Sequence, residues 1–270
     1  MDTRRMNEFR ELIWGHYRHH GRDMPWRDNP SPYRVVVSEV MLQQTQVERV
    51  TPKFLSWVER WPDFTALADA STATVIGEWK GLGYNRRALR LQELARLVVR
   101  DHSGKLPTDR ATLEALPGVG PNTAGAIMAY AFNQPVVFIE TNIRRVFLHH
   151  FFSDAEDVHD RELLPLIEAA LDHEHPREWY WALMDYGSWL KSQVANPNRR
   201  SRHHTRQAPF AGSHRQLRGK ILELCLQKPY RVKELGQLTG REESAVERAV
   251  CELVAEGFLM QTQDRVTMKI

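Results

Sequence analysis

The chain has 270 residues, with 37 Lys+Arg against 34 Asp+Glu, a formal net charge of +3 and 42% hydrophobic residues. That is enough chain for two or three domains with proper cores, and the composition is that of a soluble globular protein. It excludes a disulfide scaffold, since Cys225 and Cys251 are the only cysteines and both sit in apolar-periodic stretches that read as core, and no run reaches the roughly 20 apolar residues of a membrane span.

The N-terminus, MDTRRMNEFRELIW, has no signal-peptide stretch, so a soluble, cytoplasmic protein is expected. Apolar spacing of three and four predicts helices over Phe9–Tyr17, Val35–Val50, Phe54–Trp61, Ala73–Trp79 and Arg87–Val99. The same spacing continues through Thr112–Leu116, Thr123–Phe132, Ile143–Phe151, Glu162–Leu171 and Trp179–Leu190. Breakers such as Pro25, Pro32, Pro62, Pro107 and Pro135 fall in the connectors. This body reads as all-α.

From Tyr186 to Ile221 there is no acidic residue, while Lys191, Arg199, Arg200, Arg202, Arg206, Arg215, Arg218 and Lys220 supply positive charge. Pro197, Pro209 and Gly212 make much of it a basic linker, either simply solvated or facing phosphate. Then QLRGKILELCL, VKELGQLTG and EESAVERAVCELVAEG read as three helices, and FLMQTQDRVTMKI alternates like a strand pair. That is a winged-helix pattern, which either binds DNA or packs on a neighbour. The acids within Glu242–Glu256 suit a groove-reading helix poorly.

The sharpest local signal is LPGVGPNTAGAI, residues 116–127. Pro117, Gly118, Val119 and Gly120 form a turn that opens a helix of small residues from about Asn122, with Thr123 in its first turn. First-turn amides without helical partners attract anions, and glycine lets one approach the main chain. A DNA phosphate, held without reading sequence, is the anion expected here.

With that hairpin, the stretches MPWRDNPSPYRVVVSEVMLQQTQVERV, GLGYNRRALRL, VVFIETNIRRVF and WALMDYG carry a family resemblance over about residues 8–190. The chain resembles the helix-hairpin-helix superfamily of DNA glycosylases, closest to MutY-type adenine glycosylases and their endonuclease III relatives. The resemblance implies an all-α, two-lobed fold around a DNA cleft. The winged-helix-like domain at the C-terminus is read from the chain's own pattern and does not resemble the C-terminal domain with which MutY-type enzymes recognise 8-oxoguanine, so opposite-base specificity is not carried over. One lobe would comprise residues 1–26 plus 136–210, ending in the basic loop, the other residues 27–135, and the winged-helix-like domain residues 213–270. It implies duplex DNA with a mismatched or damaged base as partner, no membrane, and a monomer.

Breaking an N-glycosidic bond requires a flipped base, an acid for its departure and a charge beside the oxocarbenium-like sugar. The resemblance puts the acid on Glu39, protonating the purine at N7, and the stabilising carboxylate on Glu140, where the family has aspartate. It makes Gln43 and Gln44 probes of the gap left by the flipped base, Tyr84 a wedge near the opposite base, and Asn142 the family's asparagine. Asn122 stands where endonuclease III-type enzymes carry the Schiff-base lysine, so hydrolysis without strand cleavage is expected. Positions of the four-cysteine iron–sulfur motif hold Lys191, Asn198, Ser201 and Gln207, so no cluster is expected. Arg199, Arg200 and Arg202 in that loop are expected to face phosphates instead. Adjacent His203 and His204 lack tetrahedral spacing, so no metal site is expected either. The resemblance also implies a monovalent cation on main-chain carbonyls of the hairpin. Mismatched adenine is the expected substrate, with uracil or thymine mismatches, or another damaged base, as the alternative. A non-catalytic DNA-binding scaffold is the competing class.

Overall fold

The computed structural model describes residues 3–205, 209–263 and 265–269. Arg206 and Gln207 of the basic stretch therefore lie outside the described residues. By contacts the chain divides into two units, Met1–Glu39 with Leu106–Arg206, and Val40–Lys105 with Gln207–Ile270.

The first unit holds α1 (Thr3–His20), α2 (Pro25–Asp28) and the start of α3 (Pro32–Leu42). It continues with α8 (Arg110–Glu114), α9 (Pro121–Phe132), α10 (Thr141–Phe151), α11 (Asp160–Ala170) and α12 (Pro176–Gln193). A 3-10 turn, Pro197–Arg200, follows. Its core forms where α1 and α10 meet α12: Phe9 packs on Phe147 and Trp179, with ring centroids 5.3 and 6.3 Å apart. Ile13, Ile143, Leu163 and Leu183 fill the space between and are fully buried.

The second unit holds α4 (Val47–Arg60), α5 (Phe64–Asp69), α6 (Thr72–Trp79) and α7 (Arg86–His102) around Phe54, Trp57, Trp79 and Leu91. It also contains α13 (His214–Cys225), β1 (Tyr230–Arg231), α14 (Val232–Thr239), α15 (Glu243–Ala255), β2 (Leu259–Thr262) and β3 (Arg265–Met268). The strands pair antiparallel in the order β1-β3-β2, with Gln261 opposite Val266 and Tyr230 sharing that same partner. Three helices and a small sheet over a core of Ile221, Leu235, Val250 and Phe258 make the winged-helix arrangement expected for the tail.

Several boundaries depart from the sequence reading. The helix expected through Val50 ends at Leu42, because Gln44 adopts a left-handed φ of 54° and Thr45 N–H returns to the Leu42 carbonyl. The units also cut the chain elsewhere than at residues 26/27 and 135/136. Helix α9 packs with the C-terminal part of the first unit: Tyr180 Oη donates to the Val136 carbonyl at 2.7 Å, and Arg177 donates to the Tyr130 carbonyl at 2.6 Å. Cys225 is buried as expected, whereas Cys251 is exposed on the outer side of α15. No helix among the described residues is long and apolar enough to cross a membrane.

Candidate active site

Helix α3 carries Val35, Val36, Val37, Val40 and Met41 into the core and leaves Glu39 as the carboxylate on that apolar helix. Burial pushes the Glu39 carboxyl up from 4.5 to about 8, the neighbouring charge of Glu140 adds to this, and Arg27 opposes it. A carboxyl protonated at neutral pH has the chemistry to serve as a proton donor.

Glu140 ends an extended segment after α9 and serves as N-cap of α10, with φ −131° and ψ 179°. Its Oε1 accepts from Asn142 N–H at 2.5 Å and Ile143 N–H at 2.8 Å. Its carboxyl stands above its ordinary value, because burial pushes it up and the Ile143 and Asn142 amides with Arg145 and Arg144 hold it back only in part. The capping amides and the positive end of α10 thus favour the ionised form of this side chain. Asn142 is held in turn by Arg145, whose guanidinium reaches both Asn142 Oδ1 at 2.6 Å and the Gly187 carbonyl at 2.7 Å. Gly187 explains why the WALMDYG stretch ends in glycine: a Cβ there would lie 2.6 Å from the Asn142 carbonyl oxygen. Asn122, exposed in the first turn of α9, accepts from Ile139 N–H through its Oδ1 at 3.3 Å, one residue before Glu140.

Three residues around the carboxylates, Tyr130, Arg27 and Asp185, carry no role in the sequence reading. Buried Tyr130 feels the charges of both Glu39 and Glu140, and burial together with these charges lifts its phenol well above its ordinary value. Its ring stacks on Trp181 at 6.2 Å and 19°. Over Trp181 lies Arg27, whose guanidinium forks onto Asp185 with two 2.8 Å hydrogen bonds. Burial works to raise Asp185, but Arg27 and Arg22 outweigh it and hold the carboxyl below its ordinary value. Arg27 and Asp185 were legible as charged residues inside motif stretches. Tyr130 looked like one more apolar residue of α9.

The hairpin is formed as the sequence indicates. Leu116 and Val119 are buried, Val119 N–H returns to the Leu116 carbonyl at 3.1 Å, and Gly118 takes φ 80°, where a side chain is strained. Gly120 is the N-cap of α9, itself without a side chain to cap that end, and Pro121 is the first residue of the helix. Pro117, Gly118, Gly120, Asn122 and Thr123 therefore surround a helix N-terminus suited to a phosphate.

Gln43, Gln44 and Tyr84 lie in the second unit, on two turns joined by one residue the sequence reading passed over. Arg87, only 9% exposed, donates to the carbonyls of Val40, Met41 and Gln43 at 2.8, 2.9 and 2.5 Å. It also donates to Thr45 Oγ1 and the Gly83 carbonyl, both at 3.0 Å, and lies 5.6 Å from the Tyr84 ring. Burial lowers its pKa to about 10, which leaves it charged at neutral pH. Arg87→Met would strand these acceptors, and it is expected to lower unfolding stability by about 2–4 kcal/mol in a denaturant titration. An unchanged midpoint would remove Arg87 as the fastener of the two turns.

The basic loop folds against α10 and α11. Asn198 Nδ2 donates to the Thr141 carbonyl at 3.1 Å, Val158 N–H to the Arg200 carbonyl at 2.8 Å, and Arg202 N–H to the Val158 carbonyl at 3.0 Å. The Arg202 side chain pairs with Asp157, Arg200 reaches the Leu148 carbonyl at 3.4 Å, and Arg199 lies in the 3-10 turn. Asn198 and Ser201 are each 6% exposed and hydrogen-bonded within the protein, and Lys191 lies on α12. An amide, a hydroxyl and an ammonium do not fit an iron–sulfur cluster, which needs thiolates.

Comparison with known proteins bears on this arrangement. Residues 37–167 match the HhH-GPD superfamily of base excision DNA repair proteins. The adenine DNA glycosylase of Mycobacterium tuberculosis (strain H37Rv) is 33% identical over 290 aligned positions, covering 97% of this chain and 92% of that protein. The human adenine DNA glycosylase is 37% identical over 199 positions, covering 69% of this chain and 36% of its own length. Among solved structures, a thermostable thymine-DNA glycosylase superposes with a TM-score of 0.61 at 25% identity, over 68% of this chain and 87% of that one. A non-covalent endonuclease III–DNA complex gives 0.59 at 18% identity, over 79% of this chain and 92% of that one, a likeness of fold.

Proposed function

This chain belongs to the HhH-GPD superfamily of base excision DNA repair proteins, and we propose that it hydrolyses the N-glycosidic bond of mismatched adenine in duplex DNA without cutting the strand. The observation that carries the reading is the carboxylate pair: Glu39 held protonated by burial and by the Glu140 charge, and Glu140 fixed on the amides that open α10. Glu39 gives its proton to a ring nitrogen of the flipped base as the C1′–N bond breaks, and the bonding electrons leave with the base. Ionised Glu140 stabilises the cationic sugar until water adds at C1′ and its proton returns to a carboxylate.

Asn122 supports the monofunctional part, since a carboxamide already engaged with Ile139 N–H supplies no amine for a Schiff base. The thiolate-free residues of the basic loop support a protein without an iron–sulfur cluster. At the hairpin, Gly118 at φ 80° turns the peptides out of helical direction, which suits a monovalent cation on their carbonyls beside a backbone phosphate. Arg199, Arg200 and Arg202 add further phosphate contacts in this reading, and the active form in it is a cytoplasmic monomer.

The test is incubation with duplexes carrying adenine opposite 8-oxoguanine or G, and uracil or T opposite G, each scored with and without alkali and after borohydride. Breaks at adenine only after alkali, with no borohydride-trapped adduct, are expected. Release of thymine or uracil instead would transfer the assignment to the pyrimidine mismatch. Tight binding with every base retained would make the chain a non-catalytic scaffold.

A further inference from the structure

The winged-helix segment takes no part in the chemistry above, and among the described residues it makes several polar contacts within its own unit. Helix α15, which in a groove-reading winged helix would face DNA, has Glu252 and Glu256 engaged by Arg218 of α13, each at 2.7 Å. His214 also meets Glu252 at 2.7 Å, and Arg86 of α7 meets Glu256 at 3.1 Å. Other links reach the loop before α7. Lys80 pairs with Glu223 of α13 at 2.7 Å, and Arg215 Nη1 donates to Tyr84 Oη at 2.7 Å with its guanidinium carbon 5.7 Å from the ring centroid. Tyr84 is 39% exposed with a left-handed φ of 49°, between the guanidinium of Arg215 and that of Arg87.

We propose that the winged-helix segment braces the 80–86 loop, and that Arg215 is a positioning residue that presents Tyr84 to DNA in one orientation. The proposal rests on the reading of this chain as a base-excision enzyme in which Tyr84 enters the duplex beside the flipped base. A half-exposed tyrosine on a surface turn samples several rotamers. One hydrogen bond to its hydroxyl and one cation–π contact on its ring together favour a single rotamer by about 10-fold. The acids of α15 then act as anchors for the brace, which accounts for a winged helix whose third helix repels phosphate.

The experiment uses full-length Arg215→Ala, Arg215→Lys, Tyr84→Phe and the Arg215→Ala/Tyr84→Phe double variant, each checked by thermal melting. Duplexes carry 2-aminopurine opposite the target base, whose fluorescence rises when it is unstacked and needs no bond cleavage. Arg215→Ala is expected to cut that rise, and the preference among opposite bases, by about 10-fold. Arg215→Lys should fall between it and the parent, and the double variant should lose no more than Arg215→Ala alone, because Arg215→Ala already removes the hydroxyl contact that Tyr84→Phe breaks. A parental fluorescence rise in Arg215→Ala, or additive losses in the double variant, overturns the brace. So does an equal loss of affinity for every duplex with the fluorescence rise intact, which would make α13 a backbone grip. Should Arg215→Ala not fold, Tyr84→Phe carries the test, with an expected loss of about 3-fold from the missing hydroxyl contact. A parent protein that releases no base from any duplex would refute the enzymatic reading, while the fluorescence series would still decide on the brace.

Discussion

Glu39→Gln is expected to reduce base release by at least about 10^3-fold while leaving duplex affinity within about 2-fold, because glutamine keeps the shape and hydrogen bonding but has no proton to give. The pH dependence identifies the acid more sharply than the loss itself. With its carboxyl raised to about 8, Glu39 remains the protonated donor through neutrality. Single-turnover release by the parent should therefore hold roughly level up to pH 8 and then fall with pH, and the residual rate of Glu39→Gln should lack that limb.

The variant that loses activity should gain stability for the same reason. The unfolded chain releases the Glu39 proton near 4.5, whereas the folded chain keeps it until about 8. Stability from this group is thus complete below pH 4.5 and is lost progressively between the two values as pH rises. Glutamine carries no such dependence, so Glu39→Gln should melt higher than the parent at pH 9, with the gap closing toward pH 5. A variant that loses activity without gaining stability at pH 9 would mean that Glu39 is ionised in the folded protein and is not the acid.

How much of this could be read from the sequence follows from the kind of signal each residue leaves. Gly118 is legible because its φ of 80° is a backbone that few side chains accept, and Glu39 because a lone carboxylate on VVVSEVML has no solvated face to occupy. Glu140 is legible as an acid before a helix, and the structure adds that its Oε1 is committed to two amides. Arg87 left no signal, since most of its partners, the carbonyls of Val40, Met41 and Gln43 and the Thr45 hydroxyl, lie more than 40 residues away along the sequence. Tyr130 escaped for a related reason: at its place in α9 an apolar residue satisfies the helical pattern equally well, and only the tertiary fold sets its hydroxyl near two carboxylates. The end of α3 at Leu42 was hidden because QQTQ is compatible with a helix, and the left-handed residue after it, Gln44, is not the glycine that marks such a stop, while Arg87 holds the neighbouring Gln43 carbonyl.

Shortening the second carboxylate separates its two duties. Aspartate at an N-cap accepts from the same first-turn amides that Glu140 uses, so Glu140→Asp should unfold within about 0.5 kcal/mol of the parent. Catalysis has a narrower tolerance. Glu140 spans its cap with one more methylene than aspartate, and with Oε1 fixed on Asn142 and Ile143 the other oxygen is carried outward, 3.5 Å from Asn142 Nδ2. Withdrawing that oxygen by about 1 Å from a sugar it must face closely is worth about 100-fold in rate. Glu140→Asp is therefore expected to keep its melting temperature and lose about 100-fold in single-turnover release. Glu140→Gln keeps the length and one acceptor but gives up the charge, which costs stability at the α10 terminus by about 0.5–1 kcal/mol and rate by about 10^2–10^3-fold. The pair of variants divides length from charge: if Glu140→Asp turns over as fast as the parent while Glu140→Gln does not, the charge alone matters and the site has slack to accept either acid. If both retain the parental rate, Glu140 is a helix cap with no part in the reaction, and the carboxylate-pair mechanism fails.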